Sequence, residues 1–318
     1  MSPTFRCLTI MVTNRCPLRC AHCGPRSGPQ ERSEIELETV IAALEEARKR
    51  SCQMVNFSGG EPFVLGRKLV DMVQAAVARG LLTRITTGAY WSRTLEMAAQ
   101  CLQPLAQQGL HQLFISYSDQ HGEFVRLQNV IAATSAARSY GIQVYLALGT
   151  SRTSQVNSRS VREAFEAAGV AVPWILDSPL IPYGRAEENL STDELLLQPV
   201  ENLAGPCPSL TQHPTIHANG RVTGCAVVFG GNCAPLSSGN IYESTFAESL
   251  DRMNANPLAA WIHKIGVVEL KWFIEANSSI RFSDRYVNIC HLCGQILGNA
   301  EALAVLQEAG LVPLSANQ

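Results

Sequence analysis

Over the first 180 residues, short apolar runs alternate with amphipathic stretches. The runs fall at 7–12 (CLTIMV), 53–57 (QMVNF), 83–87 (TRITT), 112–116 (QLFIS), 142–148 (IQVYLAL) and 172–177 (VPWILD). They are rich in Val, Ile, Leu and Phe, as strands buried on both faces are. Residues 34–50 follow Ser33, an N-cap candidate with Glu36 three positions on. Residues 67–79, 93–108, 123–139 and 159–168 also carry apolar positions at helical spacing. Gly80, Gly109, Gly141 and Gly169 stand just past four of these helices, where a left-handed cap favours glycine. Six βα units in a row predict a parallel sheet with helices outside. Right-handed crossovers allow either a doubly wound sheet or an incomplete barrel, and periodicity does not choose between them.

The rhythm breaks after residue 180. Pro182, Gly184, Gly205 and Pro206 mark a linker with one short helix near Thr192–Leu197. Residues 207–240, dense in Gly, Cys, Asn and Ser, predict turns and short hairpins, and helical patterns return at 243–262 and 299–309. The expected division is a first domain over 1–190 and a second over 191–318.

Charge narrows the function classes. Lys and Arg number 25 against 27 Asp and Glu, a net charge of −2 over 318 residues with no long basic run. A chain that grips nucleic-acid phosphates would be more basic. No run of about 18 apolar residues offers a membrane span, and the N-terminus lacks the layout of a secretory signal. The expected location is the cytoplasm, with neither nucleic acid nor membrane as partner.

There the 11 cysteines point to metal or redox chemistry rather than disulfides. Cys7, Cys52 and Cys101 stand alone and read as small buried hydrophobes. Cys16, Cys20 and Cys23 form a CxxxCxxC after the first strand. Three thiolates leave one corner of a tetrahedral zinc site or a four-iron cube unfilled, an arrangement suited to an iron kept open for a ligand. Ser58-Gly59-Gly60-Glu61-Pro62 ends the second strand. Its glycines permit close backbone approach to a ligand, and Glu61 can pair with an ammonium group.

In this order and context the two motifs resemble the radical SAM superfamily. The resemblance implies a partial (β/α)6 TIM-like barrel, with a [4Fe–4S] cluster on Cys16, Cys20 and Cys23 and S-adenosylmethionine (SAM) on its open iron. It assigns Gly59, Gly60 and Glu61 to SAM, with Ser116 and Asp119 after the fourth strand as further contacts. Thr87-Gly88 stands where the family often has Thr-Asn-Gly, and here the Asn is missing. Arg152 is as readily a solvated arginine as a partner for the SAM carboxylate. The implied chemistry is reductive cleavage of SAM to a 5′-deoxyadenosyl radical, with the electron arriving from a flavodoxin- or ferredoxin-like donor.

Cys207, then Gly220 and Cys225, then Cys290-His-Leu-Cys293 resemble the front of the SPASM pattern. No cysteine follows Cys293, which implies the shorter twitch variant, a small C-terminal cysteine-rich domain with one auxiliary [4Fe–4S] cluster. Structural zinc would use the same four ligands. Gly184-Arg185-Ala186 is similar to what borders such domains. Two substrate classes follow from the resemblance. One is a ribosomally made peptide, crosslinked or epimerised, with Cys233 as hydrogen donor in an epimerase. The other is a small alcohol such as an aminocyclitol, dehydrogenated, for which Asp177, His121 and Arg185 are candidate bases. The expected absence of a recognition domain before the first strand weighs against the peptide.

Overall fold

A computed structural model describes residues 5–226 and 231–312, without the side chains of 231–233. Six strands and the helices between them occupy its first half: β1 (Cys7–Thr13), α1 (Leu37–Lys49), β2 (Met54–Gly59), α2 (Arg67–Val77), β3 (Leu82–Thr87), α3 (Leu95–Gln107) and β4 (Gln112–Tyr117) come first. The short α4 (Asp119–Gly122), α5 (Leu127–Ser139), β5 (Gln143–Thr150), α6 (Ser158–Ala167) and β6 (Trp174–Pro179) complete them. The strands pair in parallel and in sequential order, β1 to β6. A doubly wound sheet reverses its strand order near the middle. A sequential order repeats one crossover direction, keeps every helix on one face and lets the sheet curl into a barrel. The question left open by periodicity is settled by topology: this is a partial TIM-like barrel.

Strand burial shows the two faces. In β4, Leu113, Ile115 and Tyr117 are buried toward the helices, while Gln112, Phe114 and Ser116 are half-buried in the lumen. Lumen side chains bond across strands, Thr86 Oγ1 to Asn56 at 2.9 Å and Arg84 to Gln112 at 2.7 and 2.9 Å. The four cap glycines have φ between +67° and +86°, as their spacing predicts. Helix α1 starts later than its sequence signal, because Glu34 bridges to Thr13 and Ile35 N bonds Val12 O alongside β1. Of the solitary cysteines Cys52 is buried, while Cys7 and Cys101 are partly so.

Beyond β6 lie α7 (Ala186–Asn189), β7 (Gln198–Pro199), β8 (Thr215–Ile216), β9 (Arg221–Thr223) and β10 (Ser237–Asn240). The chain then runs through α8 (Phe246–Ala255), α9 (Pro257–Lys264), α10 (Val267–Ala276), β11 (Arg285–Tyr286), α11 (Ile289–Leu297) and α12 (Ala300–Glu308). Strand β8 joins β1 in parallel, and β9 and β10 follow antiparallel. Among the described residues the sheet therefore has nine strands, with β6 at one edge and β10 at the other. A second apolar core, built from residues 200–312, surrounds Tyr286, Leu258, Leu270 and Leu292. Helices α10 and α11 fall between the two helical segments expected in this region.

Arg50, only 6% exposed, pins α8 against the barrel. It binds Glu46 on α1 at 2.7 Å and Asp251 on α8 at 2.9 Å, and it reaches Ala247 O. Replacing Arg50 with alanine leaves Glu46 with the looser 3.8 Å contact to Lys49 and should cost about 1.5–3 kcal/mol. Asp251, 64% exposed, should cost less than about 1 kcal/mol when changed to Asn. Urea unfolding midpoints of the two variants test this order.

Candidate functional site

The ends of β1, β2, β3 and β4 and the loop after β6 enclose a cavity of about 200 Å³ lined by Cys16, Cys20, Cys23, Glu61, Gly88 and Arg185, among others. Its place at the C-terminal edge of the strands is where barrel enzymes build active sites.

The cysteine loop is held by its own backbone. Cys16 N donates to Gly28 O at 3.1 Å, and Cys23 N to Cys20 O at 3.2 Å. Leu18 N donates to the Cys16 sulfur at 3.4 Å. Burial pushes the Cys16 and Cys20 thiols up to about 12, and Cys23 upward too. Such thiols surrender their protons only to a cation that replaces them. Among the described residues no three His, Cys, Asp or Glu side chains stand close enough to share a single metal ion. The ligands of a cube bind at separate corners and need no such convergence.

Gly59 and Gly60 serve a close approach, and what approaches is the chain's own backbone. A Cβ on Gly59 would lie 2.3 Å from Thr13 O, and one on Gly60 2.3 Å from Arg15 O. Gly60 N bonds Thr13 O at 2.6 Å and Glu61 N bonds Arg15 O at 2.9 Å. This seam turns Glu61 inward, where it is 1% exposed. Its carboxylate accepts from Thr87 Oγ1 at 2.9 Å, Gly88 N at 3.0 Å and Phe63 N at 3.3 Å. Trp91 Nε1 and Ala89 N in turn donate to Thr87 Oγ1. Thr87-Gly88, set aside in the sequence for its missing Asn, is thus built into the site; its position at the end of the third strand was the available signal.

Ser116 lines the cavity, whereas the Asp119 carboxylate accepts from Gln155 N at 3.0 Å and Val156 N at 2.9 Å and is not among the lining residues. Arg152 is exposed and also outside the lining. Arg185, named in the sequence only as a motif member and a candidate base, lies against the cysteine loop. Its Nε donates to Cys20 O at 2.9 Å, its backbone N donates to Cys23 O at 3.1 Å, and its buried Nη2 has no hydrogen-bond partner. His22 meets His121 edge to face at 4.7 Å between ring centroids. Burial lowers both imidazoles, to about 4 and about 3, so both are neutral near pH 7. His121 is fixed by Ser118, whose Oγ stands 2.9 Å from its Nδ1.

Cys207, Cys225, Cys290 and Cys293 line one small cavity with Leu210 and Leu236 in the second core. Cys207 N is held by Ile262 O, and Thr223 Oγ1 donates to Cys225 O. The other two sit in the first turn of α11, capped by Asn288. Burial, with Cys225 and Cys207 adding to it, pushes Cys290 up to about 12. Cys233 belongs to the 3-10 turn Gly231–Leu236, but its side chain lies outside the described residues.

Comparison with known proteins matches this geometry. The radical SAM superfamily profile covers residues 10–150, which run from β1 through β5, and this part of the chain is a radical SAM domain. A [4Fe–4S] cluster and SAM are its cofactors. The chain is 21% identical over 313 residues to the "Putative peptide biosynthesis protein YydG" of Bacillus subtilis, covering 93% of each. It is 31% identical over 116 residues to the PqqA peptide cyclase of Granulibacter bethesdensis, covering 35% of this chain and 29% of that one. The same fold is seen in anSMEcpe, solved with AdoMet and the Cp18Cys peptide, at a TM-score of 0.54 and 13% identity over 96% of this chain and 98% of that one.

Glu61 supplies a pH test. Burial raises its carboxyl from 4.5 to about 7, against the pull of Gly88 N, Thr87 and Phe63 N. The neutral form therefore favours the fold. That advantage is complete below about pH 4.5 and is lost as pH rises through about 7. Without ligands, the stability of the wild type relative to Glu61→Gln should fall across this window and level off above it. Denaturation curves at several pH values check this, and a pH-independent difference would contradict it.

Proposed function

We propose that the enzyme abstracts hydrogen from a residue of a ribosomally made peptide and leaves that residue epimerised or crosslinked. The observation that carries the reading is the alignment to YydG across both halves of the chain, reinforced by four cysteines distant in sequence meeting in one cavity. Peptide ligands or products in the names of the PqqA cyclase and the anSMEcpe complex point the same way.

In this reading Cys16, Cys20 and Cys23 hold the cluster that binds SAM, and together the two supply a radical able to take hydrogen from an unactivated C–H bond. Glu61, oriented by Thr87 and Gly88, receives the ammonium of SAM at the Gly59-Gly60 turn. Ser116 borders the same ligand, while Asp119 shapes the loop beneath it through Gln155 and Val156. The neutral His22 and His121 rings shield the centre from water. Cys207, Cys225, Cys290 and Cys293 hold an auxiliary [4Fe–4S] cluster of the twitch type in a second domain that begins near residue 190. A fully ligated cube suits electron transfer rather than substrate binding. Cys233, in the turn after Cys225, donates the quenching hydrogen if the product is an epimer. A flavodoxin- or ferredoxin-like protein delivers the electron.

Anoxically loaded wild type should hold about eight irons and a Cys16/Cys20/Cys23→Ala variant about four, by iron and sulfide analysis. A variant holding zinc and no iron would remove the auxiliary cluster from the reading. With a peptide from the same operon in deuterated solvent, epimerisation adds one deuterium per event and should stop in Cys233→Ala. Crosslinking removes two hydrogens and should survive that substitution. Mass spectrometry separates the two, and SAM cleavage with no change to any such peptide would sink the peptide reading.

A further inference from the structure

We propose that Tyr183 is a positioning residue that registers the C-terminal cysteine site against the cavity beside the N-terminal cysteine loop. This rests on the proposed reading of the four C-terminal cysteines as cluster ligands.

Three observations meet at this side chain. First, a second cavity of about 230 Å³ adjoins the first and shares His22, Gly24, Ser116 and His121 with it. Tyr183 lines it and also lines the cavity of Cys207, Cys225, Cys290 and Cys293. Among the described residues it is the one residue common to both linings. Second, its hydroxyl donates to the Cys290 carbonyl, a backbone group of a proposed ligand residue. The ring packs on α11 where a glycine makes room, since a Cβ on Gly294 would lie 2.5 Å from Tyr183 Cε1. Third, the two residues that follow are clamped to the other metal loop. Gly184, at φ +56°, leaves space that a Cβ would fill 2.1 Å from Gly24 O and 2.6 Å from Cys23 O. Arg185 bonds Cys20 O and Cys23 O.

The consecutive residues 183–185 thus touch both cysteine sites, the C-terminal one through the Tyr183 side chain and the N-terminal one through Gly184 and through the backbone and side chain of Arg185. Neither anchor can shift without dragging the other, because interiors transmit displacement between packed groups. Hydrogen bonds around the ligands of a metal set how tightly it is held and at what potential. Tyr183 has the position of such a group for the C-terminal site, and it also lines the cavity that adjoins the proposed SAM site.

The test uses anoxically loaded full-length protein in the Cys16/Cys20/Cys23→Ala background, so that any iron and any electron paramagnetic resonance signal belong to the C-terminal site. Adding Tyr183→Phe removes only the hydroxyl. Iron content should hold, while a chelator should take the iron about tenfold faster and the reduced-state signal should change. Gly294→Ala keeps the hydroxyl but displaces the ring, and should produce the same two changes. Wild-type release rate and signal in Tyr183→Phe would overturn the proposal. If Tyr183→Phe fails to load, Gly294→Ala decides: altered release supports the proposal and wild-type release overturns it. No iron in the background variant itself would instead overturn the auxiliary-cluster reading.

Discussion

The site depends on one backbone seam, where the chain leaving β1 lies against the chain leaving β2. Gly60 N reaches Thr13 O and Glu61 N reaches Arg15 O, at separations that leave no space for a Cβ on either glycine. The seam begins where the β1–β2 register shifts between Met11 and Thr13, an irregularity of the kind that re-aims a strand end. Thr13 secures it further, its hydroxyl donating to Ser33 O and accepting from Arg15 N. One contact therefore starts the cysteine loop and delivers Glu61 to the cavity floor. If the seam opened, both motifs would lose their common frame.

Desolvation sets the chemistry around that frame. Thiols, imidazoles and the Glu61 carboxyl are all pushed toward their neutral forms by burial. A pocket that disfavours charge in so many groups is poorly solvated, and electrostatic interactions inside it gain strength. The Arg185 guanidinium lies on the cysteine loop with one buried nitrogen unpartnered. Burial still raises the Cys20 and Cys23 thiols, but the guanidinium offsets part of that rise and suits a loop that carries thiolates.

The C-terminal half enlarges the first core through the sheet, with Ile216, Val222, Phe246 and Leu250 packed into it. Strand β8 pairs with β1 on the side away from β2, and Arg50 ties α8 to α1. Residues of the C-terminal half thereby reach the barrel along the β1 edge and through α8, and the 183–185 segment adds a further link.

Local patterns in the sequence determined a good deal. The six strands, the helices between them and the four left-handed cap glycines follow from apolar periodicity and from glycine's freedom at positive φ, both properties of neighbours along the chain. The cysteine triplet and Gly59-Gly60-Glu61 were legible as motifs for the same reason: their spacing is their signal. The tertiary structure alone decided what depends on residues far apart. Beyond the barrel that the motifs implied, β8 found β1, and Arg185 came to rest on Cys20 and Cys23. Thr87 became the partner of Glu61, and Asp119 was spent on a neighbouring loop. Each of these is a pairing of groups that meet only after folding, selected by packing and by the need to satisfy buried donors and acceptors. Spacing within a motif carries no trace of it.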